Sequence, residues 1–259
     1  MAALKRSPRQ LLEFLYLLAR MELKSRYKGR LLGYVWAVST VFATAFVFWI
    51  AFKVIMRVDI ANYSVYLVTG LFPWAWMSAS VIGAARSFVG NAPLVREMGL
   101  AHGILPLSNV VAEMMHFTLA LPLILAWVVL PGDHPAAASW LWQIPLMMAL
   151  QVAFVYPLAL ACALANAFAR DVDYFLGIGF LLLFFVTPMV YPASMVPETL
   201  ARYFELNPFH ALMASWRSVL LQDTLDLARS GYVLVFAGAA GAAAWLLYRR
   251  LGPRVGEVV

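Results

Sequence analysis

Charge is scarce in this 259-residue sequence: Asp, Glu, Lys and Arg together make up 12% of it, against 64% hydrophobic residues. A soluble domain carries roughly 25% charged residues. A water-facing surface cannot be built from this composition, so a soluble globular fold is excluded. Cysteine is nearly absent as well. The single Cys162 lies in an apolar run, cannot form an internal disulfide, and reads as a small packing residue. The usual catalytic signatures are missing. There is no Gly-Lys dipeptide, hence no G-x-x-x-x-G-K-S/T and no P-loop for ATP in this chain. No H-E-x-x-H occurs, and His102, His116, His134 and His210 are scattered, which argues against a zinc site. No G-x-S-x-G nucleophile elbow is present. A membrane-embedded transferase acting on lipid carriers would need a clustered acid/base set. The one dense charged run, Arg170-Asp171-Val172-Asp173, suits helix capping equally well. The halves show no inverted repeat of the secondary-transporter kind.

What is present is a sharp boundary. Five of the eleven residues from Arg20 to Arg30 are Lys or Arg, and no charge follows from Leu31 to Phe52. Such a step sits where anionic lipid headgroups meet hydrocarbon. The pattern recurs, so the chain reads as an all-α polytopic membrane protein.

Residues 8–30 place apolar side chains on one helical face and Lys/Arg on the other, which predicts an amphipathic helix lying in the interface. The apolar stretch 11–19 is broken by Glu13, so no cleavable signal is expected. Spans of about 20 residues are predicted at about 32–52, 65–85, 104–130, 140–168, 175–189 and 232–248. Lys53 and Arg57 can snorkel at the end of span one, and Pro73 predicts a kink in span two. Residues 86–103 form a polar connection that suits a short amphipathic helix. Glu113 and His116 lie three apart on one face of span three, placed for mutual hydrogen bonding. Span four is long enough to be tilted, or broken near Pro145 or Pro157. Its later half is rich in small residues suited to close helix packing.

Between spans five and six, four prolines fall within 21 residues, Pro188, Pro192, Pro197 and Pro208, with apolar and aromatic residues between them. Two short re-entrant helices in the 190–230 region satisfy this pattern if their irregular backbone is buried in protein. Asn207-Pro208 marks the turn between them. An even number of spans puts both termini on one side. That side holds 14 Lys and Arg of the 19 in the chain, which places both termini in the cytoplasm. The net charge of +6 then reflects this asymmetry, and no nucleic-acid groove is indicated.

Several motifs in order resemble the membrane subunits of ABC-2 type exporters, in particular the permeases that export O-antigen, teichoic acid or capsular polysaccharide. These are R-Y-K-G-R-L-L-G-Y-V-W-A (26–37), G-L-F-P-W-A-W-M-S (70–78), S-F-V-G-N-A-P-L-V-R-E (87–97) with I-L-P-L-S-N-V (104–110), R-D-V-D-Y (170–174), T-P-M-V-Y-P (187–192) and L-N-P-F-H-A-L (206–212). The resemblance covers about residues 10–250. It departs at 96–104, where Met98 and Leu100 stand in place of common aromatics.

The resemblance implies a homodimer in the bacterial inner membrane. Two copies of a separate nucleotide-binding subunit would bind ATP and Mg and drive a lipid-linked glycan outward. It also implies that 86–103 is the coupling element, with Asn91, Pro93, Leu94, Arg96 and Glu97 toward the ATPase. Arg26, Lys28 and Arg30 are candidates to meet the substrate's pyrophosphate; plain anchoring of the same cations by anionic lipid is the alternative. Tyr34, Trp36, Trp49, Tyr66, Trp74 and Trp76 are candidates to line a glycan channel, since aromatic faces stack on sugar C–H faces without holding them tightly. Export of a drug or small lipid by a permease of the same type is the nearer alternative.

Overall fold

The computed structural model describes residues 8–27, 34–98, 102–132 and 136–259. The described residues form helices and connections, with no strand. In order these are α1 (Pro8–Tyr27), α2 (Tyr34–Trp49) continued by a π-helical turn (Ile50–Ile55), α3 (Tyr63–Ala85), α4 (Ser87–Gly90), α5 (Ala92–Met98), α6 (Ile104–Val129), α7 (Trp140–Phe168), α8 (Val172–Val186), α9 (Glu198–Glu205), α10 (Pro208–Gln222) and α11 (Leu227–Val258). Among the described residues five segments are long and apolar enough to cross a membrane, namely α2 with its π turn, α3, α6, α7 and α11; α8 is a shorter apolar helix. The protein is an all-α polytopic membrane protein.

Contacts at the two ends of the bundle show how these six elements alternate. At one end, here the near end, the Asn166 side chain at the foot of α7 donates to the Ala85 carbonyl at the foot of α3 (2.9 Å). The N-terminus of α6 meets the last third of α11 there, through Gly103 N–H and the Tyr248 hydroxyl. At the far end, the Tyr63 hydroxyl at the start of α3 donates to the Val190 carbonyl just after α8 (2.6 Å). The Trp140 indole at the start of α7 reaches the Val219 carbonyl of α10 (3.0 Å), and Tyr232 of α11 reaches Leu206 (2.7 Å). The traverses therefore run up and down in turn, and α1 and the C-terminal end of α11 share the near end.

α3 is the axis of the bundle. Of its most apolar stretch 72% is buried, against 6% for α2, so α3 is enclosed by α6, α7 and α10 while α2 is peripheral. The main core gathers Leu67, Met77, Phe154, Met147, Leu212 and Trp216, all fully buried. A second cluster at the near end joins Phe88, Val95, Leu164, Ala167 and Val255.

Some boundaries differ from the sequence-based expectation. α7 is one unbroken helix through Pro145 and Pro157. Pro145 and Pro157 each forgo one main-chain hydrogen bond without ending the helix, and Pro157 packs on Gly241 of α11. Span five begins and ends three residues early, at Val172–Val186. Asp171 starts it, and Thr187 takes extended backbone (ψ 129°) because Pro188 follows and disfavours helix at the preceding residue. Span six is only the middle of α11, whose 32 residues run about 48 Å at 1.5 Å per residue. Arg249, Arg250 and Arg254 thus lie on the helix and not in a tail. The 86–103 connection contains two short helices, α4 and α5, where one was expected.

Local contacts tie the loop after α2 and the proline-rich segment. Lys53 turns back along the loop, with Nζ 3.3 Å from the Ile60 carbonyl and 3.6 Å from Asp59. α9 and α10 stand where the proline-rich segment predicts two short helices. The Asn207 side chain caps α10 by accepting from Phe209 N (2.9 Å), with Pro208 at the first helical position.

Candidate functional site

The far end carries a buried cation. Arg217 of α10 is 8% exposed, and no carboxylate lies within ion-pair distance among the described residues. Its guanidinium donates from Nη1 to the Pro188 carbonyl (2.9 Å) and from Nη2 to the Met189 carbonyl (2.8 Å). It also lies over the Tyr66 ring, 3.8 Å from the centroid. The Tyr63 and Tyr66 hydroxyls take the neighbouring carbonyls of Val190 and Tyr191, at 2.6 and 2.9 Å. The irregular chain 187–191 breaks from α8 while partly buried, so its carbonyls need donors. Arg217, Tyr63 and Tyr66 supply them. Gly70 leaves the room: a Cβ there would collide with the guanidinium. One turn deeper, Gln151 of α7 bridges α3 and α10. It donates to the Pro73 carbonyl (2.9 Å) and accepts from the Trp216 indole (2.6 Å).

The near end is tied by charge and by the coupling segment. Asp173 at the start of α8 holds Arg86 at the end of α3 in a two-oxygen grip of 2.8–2.9 Å. This hydrogen bond raises the Arg86 pKa above its ordinary value. The Asp173 N–H is in turn held by Asn166 (3.2 Å). The Asn91 side chain donates to the Ser87 carbonyl (2.8 Å), closing α4. In α5, Pro93 is exposed, Leu94 half-buried and Val95 buried. His102 is buried and donates from Nε2 to the Val95 carbonyl (2.7 Å), with the Phe88 ring edge-on to it. Arg96 is exposed and reaches the Val259 carbonyl oxygen from Nη2 (2.6 Å). The segment 86–98 is therefore clamped onto the ends of α3, α7 and α11.

The predicted aromatic residues do not gather on one surface of the chain. Trp36 is exposed on α2. Trp49 is half-buried, stacked on Phe46 at 6.1 Å, and lines an apolar recess of about 800 Å³ with Phe42 and Trp127. Tyr66 lies under Arg217. Trp74 and Trp76 are buried inside the subunit. Trp74 meets Phe180 and Phe184 of α8 edge-on, while Trp76 stacks on Phe117 and donates to the Val110 carbonyl (3.3 Å). Tyr34 opens α2. Of the cationic trio, Arg26 lies in the last turn of α1, and Lys28 and Arg30 fall outside the described residues. Glu97 lies in α5.

No family model matches the chain. Curated relatives do. Two proteins of Klebsiella pneumoniae, each named O-antigen export system permease protein RfbA, are 32% and 34% identical over 255 residues, covering 96% of both chains. A protein of the same name from Myxococcus xanthus is 31% identical over 235 residues, 86% of this chain and 88% of its own. The chain belongs to the O-antigen export permease family.

In this permease, the Glu113–His116 pair is confirmed as a contact within α6. Both side chains are largely buried, and Nδ1 lies 3.3 Å from the carboxylate. Arg217, Gln151 and His102 were not singled out in the sequence, although a signal existed for Arg217. It is the one Lys or Arg between Leu206 and Leu221, and an isolated cation in an apolar helix marks a site by default. His102 and Val95 carry no such mark, since their partnership is made by folding.

Proposed function

We propose that this chain is the membrane-spanning subunit of an ATP-driven exporter that moves a lipid-linked O-antigen polysaccharide outward across the bacterial inner membrane. The observation that carries this reading is the end-to-end similarity to O-antigen export permeases, at 32–34% identity over 96% of both chains. In this reading two copies of the chain pair. Each engages a nucleotide-binding subunit that holds ATP and Mg, because this chain has no P-loop of its own. Both termini and α4–α5 face the cytoplasm, and α9–α10 lie toward the outside. The clamping of α4–α5 by Val95 and His102 supports a coupling role. A push on a rigidly seated segment moves the feet of α3, α7 and α11, where a loose loop would absorb it.

Arg26, Lys28 and Arg30 meet the pyrophosphate of the lipid carrier, for which a cationic cluster is suited. The exposed apolar faces of α2 and α8, with Trp36, Phe46, Phe175 and Phe185, are the surfaces available for the second copy and for the glycan. The names of the relatives weigh against teichoic acid, drug or small-lipid export, and the absence of a clustered acid/base set weighs against a transferase. Deletion of the chain's gene should abolish surface O-antigen while lipid-linked polymer accumulates inside the cell. A normal O-antigen ladder on outer-membrane lipopolysaccharide after deletion would sink the proposal.

A further inference from the structure

At the near end, α1 is seated on the bundle along only part of its length. Ala19 and Leu23 pack on Ala112 of α6 and are fully enclosed. The earlier turns, with Leu11, Leu12 and Leu15, instead roof an apolar groove of about 620 Å³. That volume falls in the range of ligand sites, about 300–1,000 Å³. Its other walls are the first turn of α6, the later half of α7 and the middle of α11, including Leu107, Leu160, Ala244 and Trp245. The polar atoms at its floor are engaged within the protein, Tyr156 with the Gly103 carbonyl (3.3 Å) and Tyr248 with the Gly103 N–H (3.4 Å). The interior therefore offers a ligand apolar surface.

The rim is cationic. From Ser230 to Tyr248 α11 has no charge, and Arg249 and Arg250 follow at once. They therefore sit where hydrocarbon gives way to headgroups. Arg249 lies over the ring of Trp245, a wall residue of the groove, 4.6 Å from the centroid. Neither arginine forms an ion pair among the described residues. Arg9 on α1 is matched by Glu13 at 3.1 Å, so the uncompensated charge at this rim belongs to α11.

We propose that this groove binds an anionic phospholipid of the bilayer, with an acyl chain along Leu12, Leu107, Leu160 and Trp245 and the phosphate on Arg249, while Arg250 lies on the opposite face of α11. An apolar groove at headgroup depth is poorly filled by water. A cationic rim selects an anionic lipid over a zwitterionic one by roughly 1 kcal/mol per arginine, which is about fivefold for Arg249. The bound lipid completes the seat of α1 on the bundle. The inference rests on the membrane character of the fold and is independent of the exported substrate.

Native mass spectrometry of the full-length permease, stripped of lipid and titrated with phosphatidylglycerol or phosphatidylcholine of identical chains, tests it. Phosphatidylglycerol should bind about fivefold tighter. Arg249→Gln should remove that preference, and Leu12→Trp, which fills the groove from an exposed position with the charges intact, should weaken both lipids. Equal binding of the two lipids by the unaltered protein would overturn the proposal, as would wild-type phosphatidylglycerol binding by either variant. Displacement of phosphatidylglycerol by an equimolar polyprenyl phosphate would assign the groove to the carrier lipid and overturn it too.

Discussion

At the residue scale, Arg217 presents the sharpest energetic problem in the protein. Burying an ion costs several kcal/mol unless geometry and hydrogen bonding offset it. Here the offset comes from two carbonyls and an aromatic face. Each charge-assisted hydrogen bond contributes about 1.5–3 kcal/mol, and both depend on the planar fork of the guanidinium. Gly70 is part of the same device because its missing side chain is where the fork lies. Gly70→Ala should displace the guanidinium from Pro188 and Met189. The expected cost is about 3 kcal/mol, read as a drop of roughly 5–10 °C in the thermal midpoint of the purified protein. Arg217→Lys, which keeps the charge but loses the fork, should lower the midpoint by a similar or smaller amount. An unchanged midpoint for Gly70→Ala would show that the guanidinium does not need that space. Arg217 was legible as an isolated cation in an apolar helix. Its partners were not, because Pro188 and Met189 precede it by nearly thirty residues and offer main-chain carbonyls, which every residue has.

At the element scale, the membrane helices were read with boundaries mostly within a few residues, because a long charge-free run has one economical conformation in lipid. The misplacements came from local chemistry that hydropathy does not weigh. Thr187 leaves the helix because Pro188 follows it, and α11 continues through its arginines because helix propensity does not stop at a charge. The tie between α3 and α8 is also an element-scale feature. Arg86 and Asp173 are 87 positions apart and join only once the helices pack. Since Arg86 is mostly exposed, the pair contributes no more than about 1 kcal/mol. A denaturation cycle with Arg86→Asp, Asp173→Arg and the double exchange should show both single changes destabilising and the exchange recovering most of the loss. Additive losses in the double variant would mean that the pair does not couple the helices.

At the scale of the whole molecule, six alternating traverses place α1 and the end of α11 together and α9–α10 at the opposite end. This agrees with the uneven division of Lys and Arg, read through the positive-inside rule. In a Cys162→Ala background, Gln10→Cys and Glu257→Cys should react with an impermeant thiol reagent only when applied from the cytoplasmic side. Thr199→Cys should react only from outside. Labelling of Gln10→Cys and Glu257→Cys from opposite sides would require an odd number of crossings and break the scheme. The candidate site was legible in uneven measure. The aromatic list followed from residue type, and folding distributes it: Trp36 outward on a peripheral helix, Trp74 and Trp76 into the interior of the most enclosed one.

Sequence by itself determined the solvent, the number and order of the apolar elements, and the proline-marked pair of short helices. Each of these depends on local composition and on the cost of taking charge or an unpaired backbone group into hydrocarbon. Tertiary structure alone decided which helix is central, which aromatics are enclosed, how Arg217 is satisfied, and that α1 roofs a groove bounded by α6, α7 and α11. Those facts depend on contacts between positions far apart in the chain. Their partners are main-chain carbonyls, small side chains and open volume, which leave no mark in the order of residues.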